Sequence, residues 1–414
     1  MSQGSARKVT KCRACGGSRL HFVLSLGDTP IANDLPKPTD PTPDASYPLG
    51  IVMCKDCSLV QLGDDLPADA IFTSDYPYFS SFSESLCAHA AAHATELQSS
   101  RHLGPSSFVV EIASNDGYLL RNFVRAGIPV LGIDPAPGPA AAAEKIGVPT
   151  LVEFFGETAG ARIRAERGAA DVIIANNVLA HVPQLNDVVA GFAALLADDG
   201  VVTIENPSVR TMIENLVFDT IYHEHYCYFS CTAINSLVRR HGLFLNDVEY
   251  LPNIHGGSLR WSVQKFEAPT ERCTAQLRDE TEAGMSNPEY YDSFAQRVRT
   301  AGILVRKMLA ELRAEGKTIA AYGAAAKGAT LLNSQGIGAD LIDYVVDANP
   351  HKQGHAIPGV RIPIVAPDRL GRNRPDYLLL LAWNYKEEIR RQQAAYLASG
   401  GRFIVPLPVP TVES

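Results

Sequence analysis

The stretch VVEIASNDGYLL (Val109–Leu120) holds an apolar run with one acidic residue, then a polar turn, then a glycine before a second apolar run. The run FVVEIA reads as a buried strand, and Gly117 opens a helix. A strand-to-helix turn of this kind is where α/β proteins hold nucleotides. A dinucleotide pyrophosphate asks for G-x-G-x-x-G, so that the backbone can come close to it. Only Gly117 is present, so the turn suits a cofactor without a pyrophosphate. Asp134 ends the next strand, in GIPVLGIDP (127–135), and such a carboxylate can hydrogen-bond both hydroxyls of a ribose.

The same texture extends outward. DVIIANNVL (171–179) and GVVTIENP (200–207) read as further strands, with helical stretches such as LNDVVAGFAALLA between them. Repeated βα units of this length predict a parallel, doubly wound sheet. Residues 270–315 are charged and helix-rich. The strand, glycine turn and helix pattern then restarts at KTIAAYGAAAKG (317–328) and continues through LIDYVVDANPHKQG to PDYLLLLAWN (375–384), which predicts a second α/β unit. YGAAAKG is not a phosphate-binding loop, because it lacks G-x-x-x-x-G-K-[ST].

A chain of 414 residues allows two or three domains. A net charge of −8 argues against a nucleic-acid partner, which would need a basic stripe. There is no apolar run of membrane-spanning length, and MSQGSARKVTKC has no apolar core of a signal peptide. A cytoplasmic protein with reduced cysteines is expected. Cys12 and Cys15, then Cys54 and Cys57, form two CxxC knuckles able to grip one tetrahedral ion; four thiolates leave no open position, so a structural zinc is expected. Cys87, Cys227, Cys231 and Cys273 read as unpaired. His89 and His93 lie four apart on a predicted helix and read as helix surface.

YHEHYCYFS (222–230) sets His223, Glu224 and His225 in a row among tyrosines 222, 226 and 228. The triplet can be read as a metal site, an acid/base cluster or a polar loop. H-E-x-x-H is absent, and three clustered titratable groups flanked by aromatics favour function.

The acidic first strand, single-glycine turn and ribose carboxylate resemble a class I S-adenosylmethionine-dependent methyltransferase. That resemblance implies Glu111, Ser114, Asn115 and Gly117 around the cofactor's methionine end, Asp134 on its ribose, and Asn176 or Asn177 near the sulfonium. The CxxC pairs, EIASNDG, NNVLAHVP, YHEHYCYFS, NIHGGSLRW and YGAAAKG, in this order along nearly the whole chain, resemble the three-domain sugar C-methyltransferases. Within them the likeness runs to those that methylate C-3′ of a TDP-linked 3-amino-4-keto-hexose in D-tetronitrose biosynthesis.

The family likeness implies an α/β fold in three parts: a zinc-binding module (1–75), a class I methyltransferase Rossmann-like core (76–265) and a second Rossmann-like domain (266–414). It implies S-adenosylmethionine, a structural zinc ion and a TDP-linked 4-ketosugar, with a monomer expected. At the matching positions His225 is the base. Tyr222 donates to the enolate oxygen, Glu224 orients His225 or contacts the sugar, Tyr76 reaches in from the core's entry, and His181 sits under the sugar. Asn253 and His255, with the glycine turn 256–257, are candidate substrate contacts, as are Lys327 and Lys352 for the diphosphate; Arg361 is a weaker one. The competing readings are a 3-hydroxy ketosugar or a sugar oxygen as acceptor, a ketosugar epimerase or dehydrogenase, and a non-enzymatic zinc scaffold.

Overall fold

The computed structural model describes residues 6–66 and 79–414; Tyr76 lies outside them. At the N-terminus β1 (Arg7–Lys8) pairs with β5 (Asp64–Asp65). The strands β2 (Leu20–Pro30), β3 (Ser46–Cys54) and β4 (Val60–Leu62) form an antiparallel meander. Its fourth strand is β11 (Cys227–Tyr228), which pairs Cys227 with Gln61 and Tyr228 with Val60. The His-Glu-His segment is thereby hydrogen-bonded to the zinc-binding module rather than left as a free loop.

The middle sheet contains β6 (Val109–Ile112), β7 (Val130–Ile133), β8 (Thr150–Leu151), β9 (Ala170–Asn176), β10 (Leu196–Pro207), β12 (Phe244–Leu251) and β13 (Ser258–Gln264). Their order is β12-β13-β10-β9-β6-β7-β8, parallel from β8 to β10 and antiparallel at β13. β6 and β7 are buried at every position, which is why they read as continuous apolar runs. The chain steps outward from β6 to β8, then returns to β9. The switch point therefore lies between β6 and β9, where α/β sheets open a crevice at the strand ends. β9 stops before the expected 179 because Asn177 takes a left-handed φ of 56°.

The C-terminal sheet repeats the plan with β14 (Ile319–Tyr322), β15 (Val345–Val346), β16 (Ile364–Val365), β17 (Tyr377–Leu380), β18 (Arg402–Val405) and β19 (Thr411–Glu413). The order β16-β15-β14-β17-β18-β19 puts its switch point between β14 and β17. The turn carrying Lys327 and the turn carrying Trp383 and Asn384 follow these two strands.

Two helices bind the units together. Helix Glu271–Glu282 packs on β12 and on helix Cys231–Arg239. Its buried Glu280 accepts from the amides of Cys231 and Thr232, both at 2.8 Å, and so caps that helix N-terminus. Helix Glu84–Ser100 departs from the surface expectation for its histidines. His89 Nε2 lies 2.9 Å from the Glu205 carboxylate, which also accepts from Arg260 Nη2 at 2.9 Å. Burial pushes the Glu205 carboxyl up, but His89 and Arg260 outweigh it and hold the group near about 2. His93 is buried, and burial takes its pKa down to about 3.

Candidate functional site

The four knuckle cysteines converge: their sulfur atoms all lie within 4.8 Å of one another. Cys12 Sγ is 3.5 Å from Cys57 Sγ, and Cys15 Sγ is 3.6 Å from Cys54 Sγ. The amides of Gly17 and Asp56 point at Cys15 and Cys54 sulfurs at 3.4 Å each, the donors a thiolate prefers. This donor set fits a closed tetrahedral zinc site. Asn186 of the middle unit donates to the carbonyls of Arg13 and Ala14 in the first knuckle at 2.8 and 3.1 Å. The cysteine loop is thus docked on the first turn of helix Leu185–Leu195 in the middle unit.

At the first switch point the turn after β6 is left-handed at alternate residues: Ala113 (φ 52°), Asn115 (φ 50°) and Gly117 (φ 75°). Two of these positions lack the glycine that such φ values favour. At Gly117 a Cβ would also stand 3.0 Å from Val148 Cγ2 and 3.2 Å from Ala143 Cβ, so both conformation and packing demand glycine there. Asp134 ties the turn to its own strand end. Its Oδ2 accepts from Asn115 N and its Oδ1 from Ala136 N, each at 2.8 Å. Burial is the main cause that raises the Asp134 carboxyl above its ordinary value. Glu111 is buried beside it, and desolvation, then Asp134 and Asp116, push its carboxyl well up.

The polar side chains of this turn divide. Ser114 is buried and faces Gly132 of β7, and its Oγ makes no hydrogen bond among the described residues. Asn115 Oδ1 accepts from Ser80 N at 2.9 Å, and Asp116 Oδ2 from Ser81 N at 3.1 Å. Asn176 follows at the end of β9 with its Oδ1 buried. Asn177 Nδ2 donates to His255 Nε2 at 3.2 Å and so joins the first crevice to the loop 253–257.

The His-Glu-His triplet splits three ways. His223 turns away, with Nε2 3.3 Å from Pro48 O and its ring edge-on to Tyr47. Glu224 is buried and accepts from Asn33 Nδ2 on both oxygens, at 2.8 and 2.9 Å. Burial raises its pKa to about 7, against the opposing pull of Asn33 and Lys352. His225 faces the crevice. Its Nδ1 is 2.8 Å from Thr220 O and its Nε2 is 2.7 Å from Tyr222 Oη. A carbonyl can only accept, so Nδ1 carries the proton and the Nε2 lone pair accepts from the tyrosine. Burial, then His181, holds the His225 pKa well below its ordinary value, so the ring is neutral. His181 stands edge-on 4.6 Å from the His225 ring, itself kept near about 4 by burial. Burial likewise lowers His255 to about 4.

On the C-terminal side, Lys327 Nζ is 3.6 Å from the buried Asp219 carboxylate, 3.3 Å from Asn384 Oδ1 and 4.5 Å from the centre of the Trp383 ring. Lys352 Nζ donates to Ala324 O at 2.8 Å. Asn253 and His255 line a cavity of about 620 Å³ with Trp383, Asn384, Tyr385 and Arg391. Arg361 does not reach this crevice. It grips Asp44 at 2.7 and 2.8 Å and ties the C-terminal unit to the N-terminal module.

Sequence reasoning missed two polar groups here. Asn33 meets Glu224 from a loop 191 positions away, and no local motif announces such a pairing. Tyr228 Oη is buried, with its ring 6.3 Å from His225, although its place in the aromatic-rich segment was visible.

Three family profiles match in succession: a zinc-binding domain over residues 12–72, a methyltransferase domain over 87–246, and the C-methyltransferase C-terminal domain over 253–408. The C-methyltransferase NovU of Streptomyces niveus is 36% identical over 416 residues, covering 100% of this chain and 99% of its own. An uncharacterized methyltransferase of Mycobacterium leprae is 30% identical over 115 residues, 27% of this chain and 42% of its own. Among solved structures, magnesium protoporphyrin IX methyltransferase from Synechocystis PCC 6803 with bound SAM is 14% identical with a TM-score of 0.33, covering 43% of this chain and 78% of its own.

Proposed function

The chain belongs to the zinc-containing C-methyltransferases, which use S-adenosylmethionine, and from that premise we propose that it methylates C-3′ of a TDP-linked 3-amino-4-keto-2,3,6-trideoxyhexose. The observation that carries this reading is the neutral His225, with Nδ1 committed to Thr220 O and Nε2 left as the lone pair.

Carbon alkylation needs a carbon nucleophile, and a ketone at C-4′ acidifies the C-3′ hydrogen. His225 Nε2 takes that proton, and the electron pair of the C–H bond moves to the C-4′ oxygen as an enolate. Tyr222 Oη turns from Nε2 to the C-4′ oxygen when the sugar binds, which frees the lone pair for C-3′–H and lets the hydroxyl donate to the enolate oxygen. Bound S-adenosylmethionine supplies an electrophilic methyl group on its sulfonium. Asp134 would hold the nucleoside end through its ribose, Glu111 and the left-handed turn 113–117 would lie along the methionine end, and Asn176 and Asn177 would flank the sulfonium. C-3′ takes the methyl, the C-4′ carbonyl re-forms, and His225 returns its proton to solvent.

Glu224, half-protonated near about 7, hydrogen-bonds the sugar. His181 packs beside the base. Asn253, His255 and Lys352 face the nucleotide; Lys352 spends one ammonium hydrogen on Ala324 O and keeps two for phosphate oxygens.

The test is product analysis. The protein is incubated with S-adenosylmethionine carrying a ¹³C methyl and the TDP-3-amino-4-ketosugar, and the label is located by NMR. A quaternary C-3′ bearing the methyl is expected. A methyl on oxygen or nitrogen, or reaction only with the 3-hydroxy sugar, overturns the substrate or the acceptor atom.

A further inference from the structure

We propose that Lys327 is a positioning residue for the base rather than a ligand of the substrate's diphosphate: with Asp219 it holds the turn whose carbonyl fixes His225. The proposal rests on the reading of His225 as base.

Lys327 is the second residue of helix Ala326–Ser334, which follows the C-terminal switch point. An ammonium has three hydrogens. The ammonium of Lys327 already has three electron-rich neighbours, Asp219 Oδ1 at 3.6 Å, Asn384 Oδ1 at 3.3 Å and the Trp383 ring at 4.5 Å, of which Asn384 accepts a hydrogen bond. The other oxygen of Asp219 accepts from Trp383 Nε1 at 2.7 Å. Oδ1 of this fully buried carboxylate makes no hydrogen bond among the described residues and answers to the Lys327 charge alone, so both oxygens look to the C-terminal domain. Burial raises the Asp219 carboxyl and lowers the Lys327 ammonium, each opposed by the other, so loss of either partner leaves the other uncompensated.

Asp219 belongs to the short turn Phe218–Thr220. The next residue, Thr220, presents the carbonyl that receives His225 Nδ1–H at 2.8 Å. Along the same helix, Thr330 Oγ1 donates to Ile221 O at 3.1 Å. Two side chains of one helix thus grip residues 219 and 221 on either side of the Thr220 carbonyl. A shift of that carbonyl would release Nδ1 and let the imidazole turn or change tautomer, removing the lone pair from the substrate side.

The groups that act on His225 are Tyr222 and Tyr228 of its own segment, His181 after β9, His255 of the 253–257 loop and Lys327 of the C-terminal helix. Lys327 is the one lysine among them, and its positive charge disfavours protonation of the ring. Removing it raises the basicity of His225, so the acid limb of the turnover profile moves to higher pH.

The experiment uses the full-length protein with the TDP-ketosugar and S-adenosylmethionine. Lys327→Met is expected to lower kcat by about tenfold or more, with KM for the sugar nucleotide changed by less than about twofold. Its acid limb shifts upward, and Lys327→Arg recovers part of kcat. Asp219→Asn, nearly isosteric, gives a similar loss, and the double variant is no slower than the worse single one. Should Lys327→Met fail to fold, Asp219→Asn alone carries the kcat-against-KM test. A large rise in KM with kcat retained, or losses that multiply in the double variant, overturns the proposal. Failure of the base assignment is separate: it would appear as retained activity in His225→Asn, whatever Lys327 does.

Discussion

At the scale of single residues, chemistry is set by which atom of a side chain is already committed. His225 has one nitrogen spent on a backbone carbonyl, so its other nitrogen presents the lone pair that the proposed base needs. His225→Asn should lower turnover by roughly 100- to 10,000-fold, the range of a lost general base, with S-adenosylmethionine affinity unchanged in calorimetry. Glu224 differs, because its burial carries a cost. Its carboxyl sits at about 7 in the fold against an ordinary 4.5, so the folded state keeps a proton that the unfolded state has lost. Stability therefore falls as pH rises from about 4.5 through about 7, by on the order of 3 kcal/mol in full. Glu224→Gln removes that slope. Melting temperatures across this window should converge at low pH and favour the variant at high pH; parallel curves would contradict the raised carboxyl.

At the scale of elements, the cofactor turn and the capped helix are the informative cases. Counting glycines in EIASNDG finds one, yet the backbone is left-handed at 113, 115 and 117. Asn tolerates this conformation through its short polar side chain, and Ala113 carries it as local strain. The strand-to-helix turn was therefore legible, while its shape was not, since only Gly117 signals itself in composition. Gly117→Ala should destabilise the protein by about 1–3 kcal/mol and weaken S-adenosylmethionine, because its Cβ would press on Val148 and Ala143. Asp134→Ala should weaken the cofactor while leaving zinc content intact; unchanged affinity would move the ribose contact elsewhere. Glu280→Gln at the N-terminus of helix Cys231–Arg239 should cost about 1–2 kcal/mol in denaturant melts.

At the scale of the whole molecule, the three units are interleaved. β11 leaves the middle of the chain to complete the N-terminal sheet, Asn33 returns from that module to hold Glu224, and Arg361 binds Asp44 across the other boundary. These contacts explain what the sequence hid. Spacing rules find partners a few positions apart, as in the CxxC pairs, whereas His89 with Glu205, Lys327 with Asp219 and Asn33 with Glu224 are joined only by the fold. The zinc module consequently touches the His-Glu-His segment through Asn33 as well as holding its own fold. Cys54→Ser should lower zinc content and, by loosening the Asn33 loop, reduce turnover in the fraction that remains folded; full zinc retention would break the four-thiolate assignment.

The most direct measurement is exchange at the carbon that reacts. The protein is held with S-adenosylhomocysteine and the TDP-3-amino-4-ketosugar in deuterated water, and loss of C-3′–H is followed by NMR. Wild type should exchange that hydrogen and His225→Asn should not. Exchange that persists in His225→Asn would contradict His225 as the base, and methyl transfer to C-3′ without any exchange in the wild type would show a base shielded from solvent instead of one that returns its proton to it.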